Sequence, residues 1–501
     1  MGDTTRSDEL LAARPVWGSL IAGGLRDHPG ADLFTVHEAA TGKPLAQVVA
    51  ASNTEVAEAV EDSRRAYEQE WRRLSPRERA GYMREVAARF RAHAEELGEL
   101  CAREVGKPRR DALRVDVVSS HTSFDYYAGI ADTVPGHIVD QGPIEARVTY
   151  EPYGVVAAIL PFNWPPIHFS KKCAPALAVG NTVVLKPGEQ APLTVLRLAE
   201  LANEVLPPGV INVVSGMGAG PALVGHPRVE RISFTGSTAT GRRVLEAAAA
   251  NLTYATMELG GKNALLVLDD ADLDQAVAVA IEGMFYNQGE ACTSTSRIVV
   301  EEPLYDEFAR RFVEAAARLV VGDPLDEATD IGPMVDARQR DRVNHYIEVG
   351  LAEGATLLYQ GDVPHDRPFD EGYFVTPVVF GEVTPTMTIA REEVFGPVAS
   401  LMRAENDAQA VAIANDSDYG LTAAICTRDE TRAARLAERL EVGMVFVNNY
   451  TRRTYIGSPF GGVKGSGFGR EYAPETLHEF VRAKNVRFPS GRGPVPGWPP
   501  R

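Results

Sequence analysis

The chain has 501 residues, 45% hydrophobic, 24% charged and 8% aromatic, which excludes a disordered or fibrous protein and exceeds what one hydrophobic core serves. With 51 Lys and Arg against 68 Asp and Glu the formal net charge is −17, and no basic stripe interrupts it, which argues against nucleic acid or an anionic membrane as partner. The four cysteines, Cys101, Cys173, Cys292 and Cys426, lie far apart without a CxxC pair, the histidines show no ligand-spaced cluster, the first residues show no basic-then-apolar pattern, so that no leader is expected, and no apolar run reaches membrane length. A cytoplasmic, metal-free protein acting on a small molecule is expected.

In chain order, "TEVAEAVEDSRRAYEQE" and "PRERAGYMREVAARFRAHAEELGELCAREVG" repeat apolar residues three and four apart and predict helices covering one face of a sheet. "GHIVDQGPIEARVTYEPYG" alternates with period two and predicts a hairpin leaving the domain body. "YGVVAAIL", "NTVVLK", "GVINVVSG" and "RISFTG" read as short buried strands, with "APLTVLRLAELANEVL" helical between two of them, an order that implies parallel pairing. A second α/β series starts near "KNALLVL" and runs through "DQAVAVAIEGMFYNQGEAC", "SRIVVEEPLYDEFARRFVEAAARL", "TAAICT" and "GMVFVNN". "ETLHEFVRAKNVRF" is expected to pair with the hairpin, and the Pro/Gly-rich end to form an arm.

Six stretches carry more chemistry than a scaffold needs. Asn163 in "LPFNWPP" stands between a strand and two prolines; Lys186 and Glu189 in "VLKPGEQAP" end a strand, where open α/β sheets bind ligands. Small residues from Gly236 through Ser237 to Gly241 in "SFTGSTATG" enter a helix and suit a phosphate. Glu258 in "MELGGK" precedes Leu259 and a glycine pair, "REEVFGP" holds Glu393 and Phe395, and "SPFGGVKGSGFGRE" ends in Glu471. Cys292 stands in the polar stretch "YNQGEACTSTSR". Singly, each has a structural explanation: a turn, a solvated carboxylate, a buried thiol.

Their joint order strongly resembles the NAD(P)-dependent aldehyde dehydrogenase superfamily over residues 15 to 488, with Glu258 and Cys292 at the family's spacing of 34. The resemblance implies two open-sheet α/β domains, a variant Rossmann cofactor domain and a catalytic thiol domain, with a small β-hairpin excursion for oligomerisation. Residues 1–130 and 148–259 would bind the dinucleotide, 260–458 form the catalytic domain, 131–147 and 475–490 supply oligomerisation strands of a homodimer or homotetramer, and 491–501 form the arm. Cys292 would be the nucleophile, Asn163 and the Cys292 backbone N–H the oxyanion donors, and Glu258 the base, with the glycine pair behind it as a flexible joint. Glu471 would be a second carboxylate on the proton path and Lys172 a supporting cation. Cofactor contacts fall on Ile159, Trp164, Lys186, Glu189, Gly236, Ser237, Gly241, Leu259, Glu393 and Phe395. Glu189 would repel a 2′-phosphate, so NAD is expected ahead of NADP.

The same resemblance lines the substrate tunnel with Trp164, His168, Lys171, Tyr286, Thr293, Thr454 and Phe460. Its aromatic walls favour an apolar aldehyde, whereas Lys171, Arg452 and Arg453 would suit a carboxylate-ended semialdehyde; both readings stay open. A coenzyme A-acylating relative is a third, opposed by the presence of Glu258.

Overall fold

The computed structural model describes residues 6–26, 30–363, 369–451, 456–495 and 497. Two open sheets dominate. In the first, the parallel strands run in the spatial order Tyr254–Glu258, Arg231–Thr235, Val155–Ile159, Thr182–Lys186, Ile211–Val213, extended at its edges by Gly467–Phe468 and by the hairpin Leu20–Ile21 with Gly24–Leu25. In the second, Ala264–Val267 lies between Arg297–Glu301 and Thr422–Cys426, with Val398–Ala404, Val378–Gly381 and Thr356–Gln360 on one side and Met444–Val447 on the other.

These strands read as continuous apolar runs because both of their faces are covered. Val156 and Ala158 enter one core while Val155, Ala157 and Ile159 enter another across the sheet. Ala264 and Leu266 likewise part from Leu265 and Val267 in the second sheet. The alternation follows from successive side chains pointing to opposite faces of a strand.

Chain order reverses at Val155–Ile159: the next two strands build to one side, whereas Arg231–Thr235 crosses to the other. At such a switch point the two following connections diverge and leave a crevice at the carboxyl ends of the strands. The first sheet presents this carboxyl edge to the amino-terminal edge of the second, since Glu258 ends one strand and Ala264 starts the next a few residues on.

The expected hairpin is present as His137–Asp140 with Ile144–Pro152, and Val481–Pro489 pairs antiparallel with the latter from Val481↔Pro152 to Pro489↔Ile144. The long second helical stretch is two helices, Pro76–Ala92 and Ala94–Val105, broken at His93. Sequence periodicity did not reveal the π-helical turn Ala112–Val117, the small sheet Val16–Trp17, Pro44–Val49, Leu33–His37, or the return of Gly467–Phe468 to the first sheet. Among the described residues no helix is long and apolar enough to cross a membrane.

Candidate active site

Cys292 sits in an irregular turn between the helix Leu273–Phe285 and the strand Arg297–Glu301. Asn287 and Gln288 take left-handed φ values of 55° and 47°, a costly conformation for residues with a Cβ, so the turn must be held by its surroundings. Asn263 Nδ2 donates to the carbonyls of Cys292 (2.8 Å) and Ser294 (2.9 Å), and Asn287 Nδ2 to that of Glu290 (3.0 Å). The buried Glu290 carboxyl, pushed well above the ordinary carboxylate range by burial, accepts from Val335 N and Gln288 Nε2. Of the four cysteines only Cys292 is partly exposed. Burial pushes the other three thiols up, Cys426 to about 12, so they are inert at neutral pH.

Cys292 lines two cavities at once. The first, of about 530 Å³, is mainly apolar and is walled by Trp164, Ile167, Tyr286, Ile456 and Phe460 together with Lys171. The second, about 680 Å³, occupies the switch-point crevice: Pro161, Phe162 and Asn163 follow one strand, Thr235, Gly236 and Ser237 the other, with Leu259, Glu393 and Phe395 opposite. Asn163 stands in the second cavity on the link into the helix Pro165–Ala178, whose first two residues are prolines with φ already set for a helix.

The Asn163 side chain is fixed at both ends. Nδ2 donates to Glu290 O at 3.0 Å, and Oδ1 lies 3.1 Å from His168 Nε2. Burial, and then the charges of Lys171, Lys172 and Lys107, hold His168 well below its ordinary pKa. The ring is therefore neutral, and its Nε2–H donates to Asn163 Oδ1. An amide nitrogen carries two protons, so Asn163 keeps one beyond the bond to Glu290, in the cavity shared with Cys292.

Glu258 ends its strand almost completely buried, and neither carboxylate oxygen has a hydrogen-bond partner among the described residues. Burial and then the charge of Glu471 push its pKa well above the carboxylate range, against Lys171, Lys172 and Arg470. Glu471 faces Phe460 across a two-way backbone bridge. Burial alone would raise its pKa, but Lys171 and Lys172 override that and hold it below the ordinary value.

In the crevice Ser237 caps the helix Thr238–Asn251 and accepts from Thr240 N at 3.3 Å. The Glu393 carboxyl accepts from Gly261 N at 3.0 Å and is pushed up to about 7 by burial. Gln339 and Arg342, on the helix Ala337–Ala352, donate to the carbonyls of Phe395 and Glu393, both at 2.7 Å, and hold that segment with Phe395 at φ 61°. Lys186 and Glu189 pair with each other, and Glu189 also borders an outer cleft with Gln190 and Met217.

The aldehyde dehydrogenase family model matches residues 27–486. The chain belongs to the aldehyde dehydrogenase family. The aldehyde dehydrogenase citD of Monascus ruber is 47% identical over 467 residues, 93% of each chain. The structure of PnpE, from Pseudomonas sp. WBC-3, in complex with nicotinamide adenine dinucleotide superposes with TM-score 0.93 at 38% identity, covering 97% of this chain and 99% of that one. Betaine aldehyde dehydrogenase from Staphylococcus aureus in complex with NAD+ superposes with TM-score 0.94 at 33% identity over 98% of both. The protein is thus an NAD(P)-dependent oxidoreductase acting on aldehydes.

Within this aldehyde dehydrogenase several expectations need correction. Trp164 walls the apolar cavity, with Lys107 Nζ 5.4 Å from the centre of its ring. Ile159 packs in the core of the first sheet, and Gly241 is buried where a Cβ would meet the Leu259 side chain. Thr293 is buried beside Cys292 without lining either cavity. The glycine pair after Glu258 is closely packed: a Cβ on Gly261 would collide with the Cys292 carbonyl oxygen, and one on Gly260 would meet the Glu393 carboxylate. Lys171 is buried and ion-paired to Glu471 at 2.6 Å, so it is not a free cation for a substrate. Arg452, Arg453 and Thr454 lie outside the described residues.

Sequence reasoning missed Asn263, Gln339, Arg342 and the orienting role of His168. Only "MELGGKN" carried a signal, since Asn263 follows the motif directly; the other contacts join segments far apart in the chain.

Proposed function

We propose that the protein oxidises an uncharged, largely apolar aldehyde to its carboxylic acid through a covalent intermediate on Cys292, using NAD ahead of NADP. The observation that carries this reading is the position of the one partly exposed thiol where an apolar cavity meets a polar crevice. The crevice suits a dinucleotide: Ser237 and free helix amides for the pyrophosphate, Glu393 for a ribose, and glycines at 236 and 260 where a side chain would intrude. The Lys186–Glu189 pair would hold the adenosine ribose, and the Glu189 carboxylate would oppose a 2′-phosphate.

The chain's own groups perform the following work. The Cys292 sulfur attacks the carbonyl carbon, a C–S bond forms, and the oxyanion takes hydrogen bonds from Asn163 Nδ2 and the Cys292 backbone N–H. NAD, when bound, accepts the hydride that leaves this carbon, and the acyl group stays on sulfur as a thioester. Glu258 takes a proton from water as the water oxygen bonds to the acyl carbon; the C–S bond breaks and the thiolate returns. Burial makes the ionised Glu258 a stronger base than an exposed carboxylate, which suits this step. Hydrolysis through Glu258 is favoured over transfer to coenzyme A for this reason. Apolar substrates are favoured over semialdehydes because the nearest cation, Lys171, already faces Glu471.

The same reading assigns 1–130 and 148–259 to the dinucleotide-binding domain, 260–458 to the catalytic domain and 131–147 with 475–490 to oligomerisation. Support for a homo-oligomer comes from the outlying sheet, where Ile138, Val139, Val486 and Phe488 are exposed on its two outer strands. An aldehyde panel from short aliphatic through aromatic to acid-ended, scored by NADH or NADPH absorbance, tests the proposal. Apolar aldehydes with NAD should give the highest kcat/KM; a preference for acid-ended aldehydes, or a requirement for coenzyme A, would overturn it.

A further inference from the structure

Lys171 and Lys172 are consecutive on the helix Pro165–Ala178, so their side chains leave its axis about 100° apart. The Glu471 carboxylate occupies the notch between them. Lys171 Nζ is 2.6 Å from Oε2 and Lys172 Nζ 2.9 Å from Oε1, and Lys172 also donates to Ser233 Oγ at 3.0 Å. All three charged side chains are buried. The Lys171 ammonium further lies 4.9 Å from the centre of the Phe460 ring and 5.9 Å from that of Tyr472. Lys171 thus lines the apolar cavity while its ammonium pairs with Glu471.

Charge balance gives this arrangement its meaning. Glu471 alone needs one counter-charge, which Lys172 supplies. Glu258 is close enough to be acted on by Glu471 and both lysines, yet its oxygens have no hydrogen-bond donor. Two buried carboxylates with one lysine would carry a net negative charge away from water, a state that forces one of them to keep its proton. A second lysine offsets that charge and lowers the pH at which the second carboxylate ionises. Resting on the hydrolytic reading above, we propose that Lys171 is a positioning residue for thioester hydrolysis: it locks Glu471 between two cations and supplies a second positive charge, which extends to lower pH the range in which Glu258 serves as a base.

The groups that face this pair are Lys171, Lys172 and His168 from the helix, Arg470 and Tyr472 from the loop after Phe460, and Tyr127 from the helix Val118–Gly129. His168 is neutral, and burial raises both tyrosine hydroxyls, so the charge at the pair comes from the lysines and Arg470. Removing Lys171 leaves the pair holding a proton to higher pH, whichever carboxylate carries it.

The test uses an activated aryl ester such as 4-nitrophenyl acetate, which acylates Cys292 with release of the phenolate and needs no dinucleotide. The burst reports acylation, and the steady rate reports hydrolysis. Lys171→Met keeps the length and apolar contacts of the side chain; whatever the size of its burst, the acid limb of its steady rate should move up by about one pH unit, with about tenfold slower hydrolysis on that limb. Lys171→Arg keeps the charge and should restore the parent limb. An unmoved limb in a Lys171→Met enzyme that melts at the parent temperature overturns the proposal, as does a limb in Lys171→Arg displaced as far as in Lys171→Met. A changed preference between acid-ended and neutral aldehydes with the limb unmoved would make Lys171 a substrate contact instead. If Glu258→Gln hydrolyses the acyl-enzyme at the parental rate, the hydrolytic reading itself fails, independently of Lys171.

Discussion

If Glu393 holds a cofactor ribose as proposed, one buried carboxyl couples cofactor binding to pH. Burial pushes it up to about 7, with the Gly261 N–H only partly offsetting. Above that pH it is a carboxylate able to accept from two ribose hydroxyls; below it one oxygen carries a proton and loses acceptor capacity. Titration calorimetry of NAD binding should therefore show affinity falling as pH drops from 8 to 6, by up to about tenfold per unit, and Glu393→Gln should bind weakly with the dependence gone. At Asn163, Asn163→Ala should lower kcat by about 10²- to 10³-fold in stopped-flow assays, the cost of one oxyanion donor. Cys292, Glu258 and Asn163 were legible in the sequence because each stands in a contiguous motif. His168 and Lys171 were legible only as wall residues. Their partners, Asn163 and Glu471, are set by how one helix is rotated against a strand end and a loop 300 positions away, which spacing along the chain does not encode.

At the scale of elements, the carboxyl edge of the first sheet was readable in advance because its central strands, Val155–Ile159, Thr182–Lys186, Ile211–Val213 and Arg231–Thr235, are buried along their whole length, leaving short apolar runs bounded by turns. What positions the helices against those strands was less so. Glu104, fully buried at the end of Ala94–Val105, accepts from Leu193 N and Thr194 N at 2.8 and 2.9 Å and so satisfies the first amides of Leu193–Asn203. Burial raises its pKa to about 7 against these bonds. Glu104→Ala leaves two buried N–H groups unpaired and should cost about 1–3 kcal/mol in urea unfolding, with Glu104→Gln costing less. The π-helical turn Ala112–Val117, which brings Val115 to the apolar cavity, had no sequence signal, since one extra residue per turn barely disturbs an apolar period.

For the whole molecule, two features set the working form: a catalytic turn gripped between two sheets, and a three-stranded outlying sheet that exposes apolar residues. If that sheet is an interface between copies, Ile138→Asp with Phe488→Asp should reduce the particle mass in sedimentation velocity, while an unchanged particle would place assembly elsewhere. The grip on the turn through Asn263 and Glu290 explains why one of four thiols is both partly exposed and fixed beside Asn163. The proposed covalent capture rests on that geometry. Intact-mass spectrometry of Glu258→Gln enzyme mixed with NAD and a saturating apolar aldehyde tests it most directly: one acyl group per chain should accumulate on the Cys292 peptide, with one equivalent of NADH. Undiminished turnover without any adduct would contradict the account.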